Sequence, residues 1–255
     1  MQIDEETLKR LDRELQAINN RIGADRKTLD EVFDRSTLLT FGKLISDRII
    51  EYVDFPICTG KEANIFRAIT PQKKFVAVKV YRTSTSNFNR MIHYIQGDPR
   101  FPPISKNRRE IIYQWVKKEL ANLEKLAEIG VPAPKPIKAL NNILVMDYIG
   151  GVQKPAPLLK DVTMKNPDKF YNTIIKYIEA MYIKGGFVHS DLSEYNILVH
   201  RNKPVLIDLA QGVVRDHPMA MEFLQRDIRN IVNFFRKHGV DDNEKKVFDR
   251  ITSQR

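Results

Sequence analysis

The chain has 255 residues and only one cysteine. An internal disulfide is therefore excluded, and so is a cysteine-based metal centre, which needs several thiolates. No apolar run approaches the roughly 18 residues that cross a bilayer. The opening MQIDEETLKR lacks the apolar stretch of a secretory signal. The expected setting is reducing, intracellular and cytoplasmic. Repeats and low-complexity tracts are missing too, which removes solenoid and linker architectures. What remains is the composition of a soluble globular chain, 42% apolar and 29% charged. Lys and Arg number 42 against 32 Asp and Glu, a formal charge of +10. Such a chain attracts polyanions, either nucleic acid or nucleotide phosphates, unless the charge is only a solubilising surface.

Hydrophobic spacing divides the chain near Gly150. Leu8, Leu11, Leu15, Ile18 and Ile22 recur at steps of three and four, which predicts an opening helix that stops at Gly23. Its narrow seam suits docking on the chain's own core, or a partner helix. A second helix is expected over Ser36–Ser46. Short β-rich runs follow at Ile49–Cys58, Glu62–Ala68 and Phe75–Tyr81, with turns at Thr59-Gly60 and Pro71-Gln72. A long polar stretch, Arg82–Asn107, precedes a helix over Arg108–Ile129. Two strands flank Asn141-Asn142, the second being Ile143–Tyr148. Beyond Gly150-Gly151 the pattern is mainly helical, with helices over Pro167–Lys184 and Met219–His238. Between them Asn196–His200 and Val205–Ile207 bracket a turn at Arg201-Asn202-Lys203. These elements predict an α+β chain with a strand-rich first half and a helical second half.

The segment His189-Ser190-Asp191-Leu192-Ser193-Glu194-Tyr195-Asn196 fits H-x-D-x-x-x-x-N, the catalytic loop of protein kinases. That spacing lets an Asp reach the attacking hydroxyl while an Asn turns back to a metal ion. The plainer alternative is a polar turn in which Asp191 and Asn196 bond only backbone amides. Leu206-Ile207-Asp208-Leu209 follows, with Asp208 17 residues after Asp191. An Asp ending an apolar run there can supply the second metal ligand that an anionic γ-phosphoryl group requires. Val76-Ala77-Val78-Lys79-Val80 matches the strand that presents a phosphate-binding lysine. Alternation puts Phe75, Ala77, Lys79 and Tyr81 on one face and the valines on the other. Lys79 needs a carboxylate partner, and Glu110, Glu119 and Glu124 lie on the following helix. Glu119, beside Leu120 and Leu123, is the expected choice. Thr59-Gly60-Lys61-Glu62-Ala63-Asn64 stands where a phosphate-covering loop belongs. It fails both the Walker A pattern and the kinase G-x-G-x-x-G, having a single glycine.

Taken together, Thr59 to Asn64, His189 to Asn196 and Ile207-Asp208-Leu209-Ala210-Gln211 resemble the RIO family of atypical serine/threonine kinases. T-G-K-E-A-N and D-L-S-E-Y-N are closest to the first RIO subfamily, and the short ends are similar to its archaeal members. The resemblance runs from about Ser36 to Phe235. It implies a trimmed two-lobed kinase fold: a helical extension over 1–47, an N-lobe of antiparallel sheet plus one helix over 48–149, and a mainly helical C-lobe over 150–255. It implies ATP with Mg²⁺, and oxygen ligands also suit Mn²⁺. Carried over by motif, Asp191 is the base, and Asn196 and Asp208 hold the metal. Lys79, paired with Glu119, contacts the α- and β-phosphates. Residues Thr59 to Asn64 cover the triphosphate. Met146 backs the adenine pocket, and the backbone of Asp147 and Ile149 bonds the base. Asp208 is also implicated as a phosphoryl acceptor. The implied partners are pre-small-ribosomal-subunit particles or rRNA, in small-subunit maturation.

Departures from the pattern narrow the chemistry. Ser190 replaces the arginine that many kinases carry before the catalytic Asp, and no A-P-E follows Asp208. Activation-loop control and an extended peptide platform are not expected. Cys58 stands where the family usually has serine. The stretch Arg82–Arg109 resembles the flexible loop of the subfamily; its later half, Arg90–Arg109, is basic, and Phe88, Tyr94 and Phe101 could touch RNA. Ser105 in it is either an autophosphorylation site or a helix cap. Two other functions fit the residues: a small-molecule kinase of aminoglycoside or choline type, and an ATP-switched ribosome-binding module with little turnover.

Overall fold

The computed structural model describes residues 34–83, 88–101 and 107–253, with residues 5, 6, 9 and 13. The expected seam from Leu8 to Ile22, and Ser105, lie outside the described residues. The chain clusters into two units. One takes the residues up to Ile92, a stretch ending at Leu120, and Pro136–Tyr148; the other takes His93–Pro103, Ala121–Lys135 and everything from Ile149.

The first unit opens with helix α1 (Arg35–Ser46). Asp34 caps it by accepting the Thr37 N–H at 2.8 Å. At its other end Arg48 takes φ 58, and the Ile49 N–H turns back to the Leu44 carbonyl at 3.0 Å. Composition places Ile49 and Ile50 at the start of a strand, but they close the helix instead, so β1 (Tyr52–Thr59) starts later. With β2 (Ala63–Ile69), β3 (Phe75–Tyr81), β4 (Pro136–Leu140) and β5 (Ile143–Asp147) it forms an antiparallel sheet ordered β1-β2-β3-β5-β4. Pro56 is tolerated because β1 is an edge strand, and the register slips beside it. Val76, Val78 and Val80 bury one face of β3 against Phe41 and Leu44 of α1 and Val145 of β5. Each such side chain contributes about 1.5–3 kcal/mol of burial. The other face carries Lys79 and Tyr81.

The polar stretch holds a helix that its composition hides. Helix α2 (Phe88–Ile95) buries Phe88, Met91, Tyr94 and Ile95. Helix α3 (Arg108–Glu128) follows. Its residues through Leu120 cluster with the first unit, and those from Ala121 with the second.

In the second unit, helix α4 (Pro167–Ile183) starts at Asn166, whose side chain accepts the Lys169 N–H at 2.9 Å, with Pro167 at its first turn. It packs with α5 (Ala220–Arg236) and α6 (Glu244–Ser253), and Phe170, Ile174, Ile228, Ile231, Phe235 and Ile251 on these helices are buried. Two short antiparallel pairs frame the loops between α4 and α5. They are β6 (Phe187–Val188) with β9 (Val213–Val214), and β7 (Ile197–His200) with β8 (Lys203–Leu206). The β7–β8 turn has φ 49 at Arg201 and φ 59 at Asn202, the left-handed pair that a tight hairpin uses. Among the described residues no helix is long and apolar enough to cross a membrane.

Candidate active site

In the first unit the chemistry rests on regular elements. Lys79 is mid-β3, opposite Ile65 of β2 and Leu144 of β5. Its Nζ donates to Glu119 Oε1 of α3 at 2.7 Å, and the side chains are 7% and 1% exposed. Tyr81, two residues along the same face, donates its hydroxyl to the other Glu119 oxygen. Glu110 and Glu124 are exposed. Taking both charges of the pair out of water costs several kcal/mol per ion before their attraction offsets it. A sheet that needed only stability could fill that space with apolar side chains.

Thr59 to Asn64 form the hairpin from β1 to β2. Thr59 faces Asn64 across the ladder, and the Gly60 N–H closes the turn on the Ala63 carbonyl at 3.0 Å. Asn64 is buried, and its Oδ1 has no hydrogen-bond partner. Such an orphan acceptor suits a cation or a hydroxyl, not a phosphate oxygen. Met146 is buried in β5 opposite Ala77, and Asp147 follows it opposite Val76.

The second unit builds its site from loops. Asp191 lies between β6 and β7. Gln211 Nε2 donates to its Oδ2 at 2.8 Å. Asn196 Nδ2 donates to the Asp191 carbonyl at 2.7 Å, so its amide oxygen, not its nitrogen, is the atom that could hold a metal. Asp208 follows β8 and takes the left-handed conformation, φ 61, as does Ser190 with φ 67. For residues with a Cβ that region costs about 1–2 kcal/mol each. The Ile149 carbonyl accepts the Ala156 N–H at 3.0 Å.

Helix α5 holds the strained loop. Asp227 is fully buried and accepts the Ser190 N–H on one oxygen and the Leu192 N–H on the other, both at 2.8 Å. Arg226 donates to the Ser190 carbonyl, and Asn230 to the Leu192 carbonyl at 3.1 Å. Burial pushes the Asp227 carboxyl up to about 7, against the pull of those two amides. His189 is also fully buried, and burial lowers its pKa to about 4. Its Nε2 faces the Ile207 carbonyl at 3.2 Å, and Nδ1 has no partner. That is a neutral imidazole protonated on Nε2.

Sequence motifs assign no role to the side chains of Tyr81, Asn122, Gln211, Arg226, Asp227 or Asn230, all of which the structure brings to these groups. Asp227 leaves a legible signal. It interrupts the apolar stripe Phe223, Leu224, Ile228, Ile231 at a buried position, where a carboxylate needs specific partners. Among the described residues no cluster of three or more His, Cys, Asp or Glu could hold a metal. The residues that could hold a metal, Asn196 and Asp208, would offer one amide oxygen and one carboxylate, a set that suits Mg²⁺ carried largely by phosphates and water.

Comparison with known proteins identifies the family and the fold. A RIO domain matches residues 64–248. RIO-type serine/threonine-protein kinase Rio1 of Haloferax volcanii is 41% identical over 246 residues, 96% of this chain and 84% of that protein. Its counterpart in Thermoplasma acidophilum is 50% identical over 187 residues, 73% of this chain and 98% of that protein. In structure the chain is similar to the Rio2 kinase–ADP/Mg²⁺–phosphoaspartate complex from Chaetomium thermophilum. The TM-score is 0.67 at 23% identity, over 85% of this chain and 65% of that one. At that identity the likeness shows a kinase-like fold.

Proposed function

The chain belongs to the RIO family of serine/threonine kinases, beside the Rio1 proteins, and from that premise we propose a Mg²⁺·ATP-dependent phosphoryl transferase acting in maturation of the small ribosomal subunit. The observation that carries the ATP reading is the buried Lys79–Glu119 pair at 2.7 Å. It fixes an ammonium for the α- and β-phosphates at a cost that stability alone does not require. Asp191 takes the proton of the attacking hydroxyl, and the amides of Gln211 and Asn196 orient it for that task. Asn196 and Asp208 hold Mg²⁺, which, when bound, neutralises charge on the phosphates. Thr59 to Asn64 cover the triphosphate. Met146 lines the adenine site, and the backbone of Asp147 and Ile149 bonds the base. The ribosomal partner rests on the family resemblance together with the +10 charge, which favours rRNA.

A second reading makes Asp208 the phosphoryl acceptor. Its carboxylate attacks the γ-phosphorus, ADP leaves, and water later releases phosphate. The phosphoaspartate in the Rio2 neighbour favours it. So does the short run from Asp208 to α5 at Ala220, which gives little room for an extended peptide. One experiment tests both. Wild type, Asp191→Ala and Asp208→Ala are incubated with γ-labelled ATP and Mg²⁺, and phosphate release and protein-bound label are measured. Acid-stable label lost in Asp191→Ala supports hydroxyl transfer. Hydroxylamine-labile label lost in Asp208→Ala, with phosphate accumulating, supports the aspartyl route. Neither label nor hydrolysis, with or without ribosomal particles, overturns the catalytic reading.

A further inference from the structure

Asn122 of α3 is fully buried. Its Nδ2 donates to the Leu209 carbonyl at 2.7 Å and to the Gly212 carbonyl at 3.0 Å. Those carbonyls bound a turn that the Gly212 N–H closes on Leu209 at 3.1 Å. The turn directly follows Asp208, and Gln211 within it reaches Asp191. The fit is close: a Cβ on Gly212 would meet Phe187 at 2.2 Å and Asn122 Nδ2 at 3.1 Å.

The orientation of Asn122 is itself imposed. Arg100 Nη2 donates to Asn122 Oδ1 at 2.9 Å, so the amide must turn its N–H groups to the carbonyls. Arg100 is gripped by the buried Asp98 through two parallel bonds, Nε–Oδ1 at 2.9 Å and Nη2–Oδ2 at 2.7 Å. Both residues belong to the basic stretch between β3 and α3. That stretch meets the same region again where the Gln96 carbonyl faces His217 Nε2 at 3.0 Å.

We propose that Asn122, oriented by Arg100 and Asp98, is a positioning residue that sets the Leu209–Gly212 turn, and through it Asp208 and Gln211. The stretch between β3 and α3 thereby does for the metal loop what an activation segment does in kinases that have one. This chain has no A-P-E and no arginine at Ser190 to anchor such a segment. The inference rests on the reading of Asp208 as the metal ligand.

The test compares Arg100→Ala and Asn122→Asp with wild type. Asn122→Asp keeps the acceptor for Arg100 and loses both donors to the turn. Amide hydrogen exchange over residues 207–214 is read in nucleotide-free protein, and turnover is titrated against Mg²⁺. Exchange there is expected to rise about tenfold in Arg100→Ala, the loss of roughly one hydrogen bond, and further in Asn122→Asp. The Mg²⁺ needed for half-maximal turnover rises several-fold, while the KM for ATP stays within twofold. Wild-type exchange over 207–214 in a folded Arg100→Ala overturns the proposal, whether or not Asn122→Asp folds. Asp208→Asn is titrated in parallel. If its Mg²⁺ requirement matches wild type, the reading of Asp208 has failed, and the exchange result still decides the role of Asn122.

Discussion

The two units hold their functional groups by opposite means. In the first, Lys79 and Glu119 sit mid-strand and mid-helix, on ordinary backbone, and are fixed by each other and by Tyr81. In the second, Ser190 and Asp208 have left-handed backbone and are fixed from outside, by Asp227, Arg226 and Asn230 on α5 and by Asn122 on α3. The first site stores its cost as desolvated charge, and the second adds backbone strain to the burial of the Asp227 carboxyl. Each kind of cost must be offset by neighbours, and the neighbours differ: a charge needs its counter-charge, and a strained loop needs acceptors and donors for its peptide groups.

The largest test of that contrast removes one partner of the pair. Glu119→Ala leaves Lys79 buried without its carboxylate and should cost about 3–5 kcal/mol in urea unfolding. Combining Lys79→Met with Glu119→Gln removes both charges and keeps an acceptor for Tyr81. The double variant should recover most of that stability while phosphoryl transfer stays lost. If the double variant is as unstable as Glu119→Ala, charge desolvation is not what the first unit carries.

The same contrast decides which elements the amino-acid sequence makes legible. β-rich composition predicts β3 at Phe75–Tyr81, where it is found, because a strand covered on both faces reads as a near-continuous apolar run. Glu119 can be singled out because it sits in an apolar helix face. The start of β1 is displaced because Ile49 and Ile50 are β-formers that the helix cap claims instead. Helix α2 is masked by serines, threonines and prolines, although Phe88, Met91, Tyr94 and Ile95 recur at helical spacing. Helix α6 escapes notice because EKKVFDRITS carries few apolar residues, of which Val247 and Ile251 are buried. In the second unit's site the motif residues Asp191, Asn196 and Asp208 are legible, and Asp227 shows only as a carboxylate within an apolar stripe. Their supports are long-range: Asp227 is 37 residues from Ser190, and Asn122 is 87 from Leu209. Local pattern carries no record of such pairings.

A second, smaller effect belongs to the strained site. Asp227 in the folded chain titrates near 7, above its ordinary 3.8. The stability this adds is complete below pH 3.8 and is lost as pH rises through 7. His189 titrates near 4, below its ordinary 6.5. Its contribution is complete above pH 6.5 and is lost as pH falls through 4. Between pH 4 and 6.5 the two trends oppose each other. Asp227→Asn removes one of them, so unfolding free energy should then fall by about 3 kcal/mol from pH 6.5 to 4, steeper than in wild type. Parallel pH profiles for variant and wild type would show that these two groups do not set the acid response.

The smallest effect compares one glycine from each site. Gly212 has a phenyl ring where a Cβ would go, at 2.2 Å from Phe187 Cζ, and the ring is buried with little room to move. Gly60, in the hairpin proposed to cover the phosphates, has only the Ala63 carbonyl nearby, at 3.0 Å, and no positive φ. Gly212→Ala should therefore destabilise by about 1–3 kcal/mol, as overpacking does. Gly60→Ala needs a shift of a few tenths of an ångström in a half-buried turn, and should cost less than about 1 kcal/mol. Thermal unfolding of the two variants decides the matter. Equal losses would mean that the turn after Asp208 is no more tightly built than the hairpin at Gly60, and that the second site is not held by packing from outside.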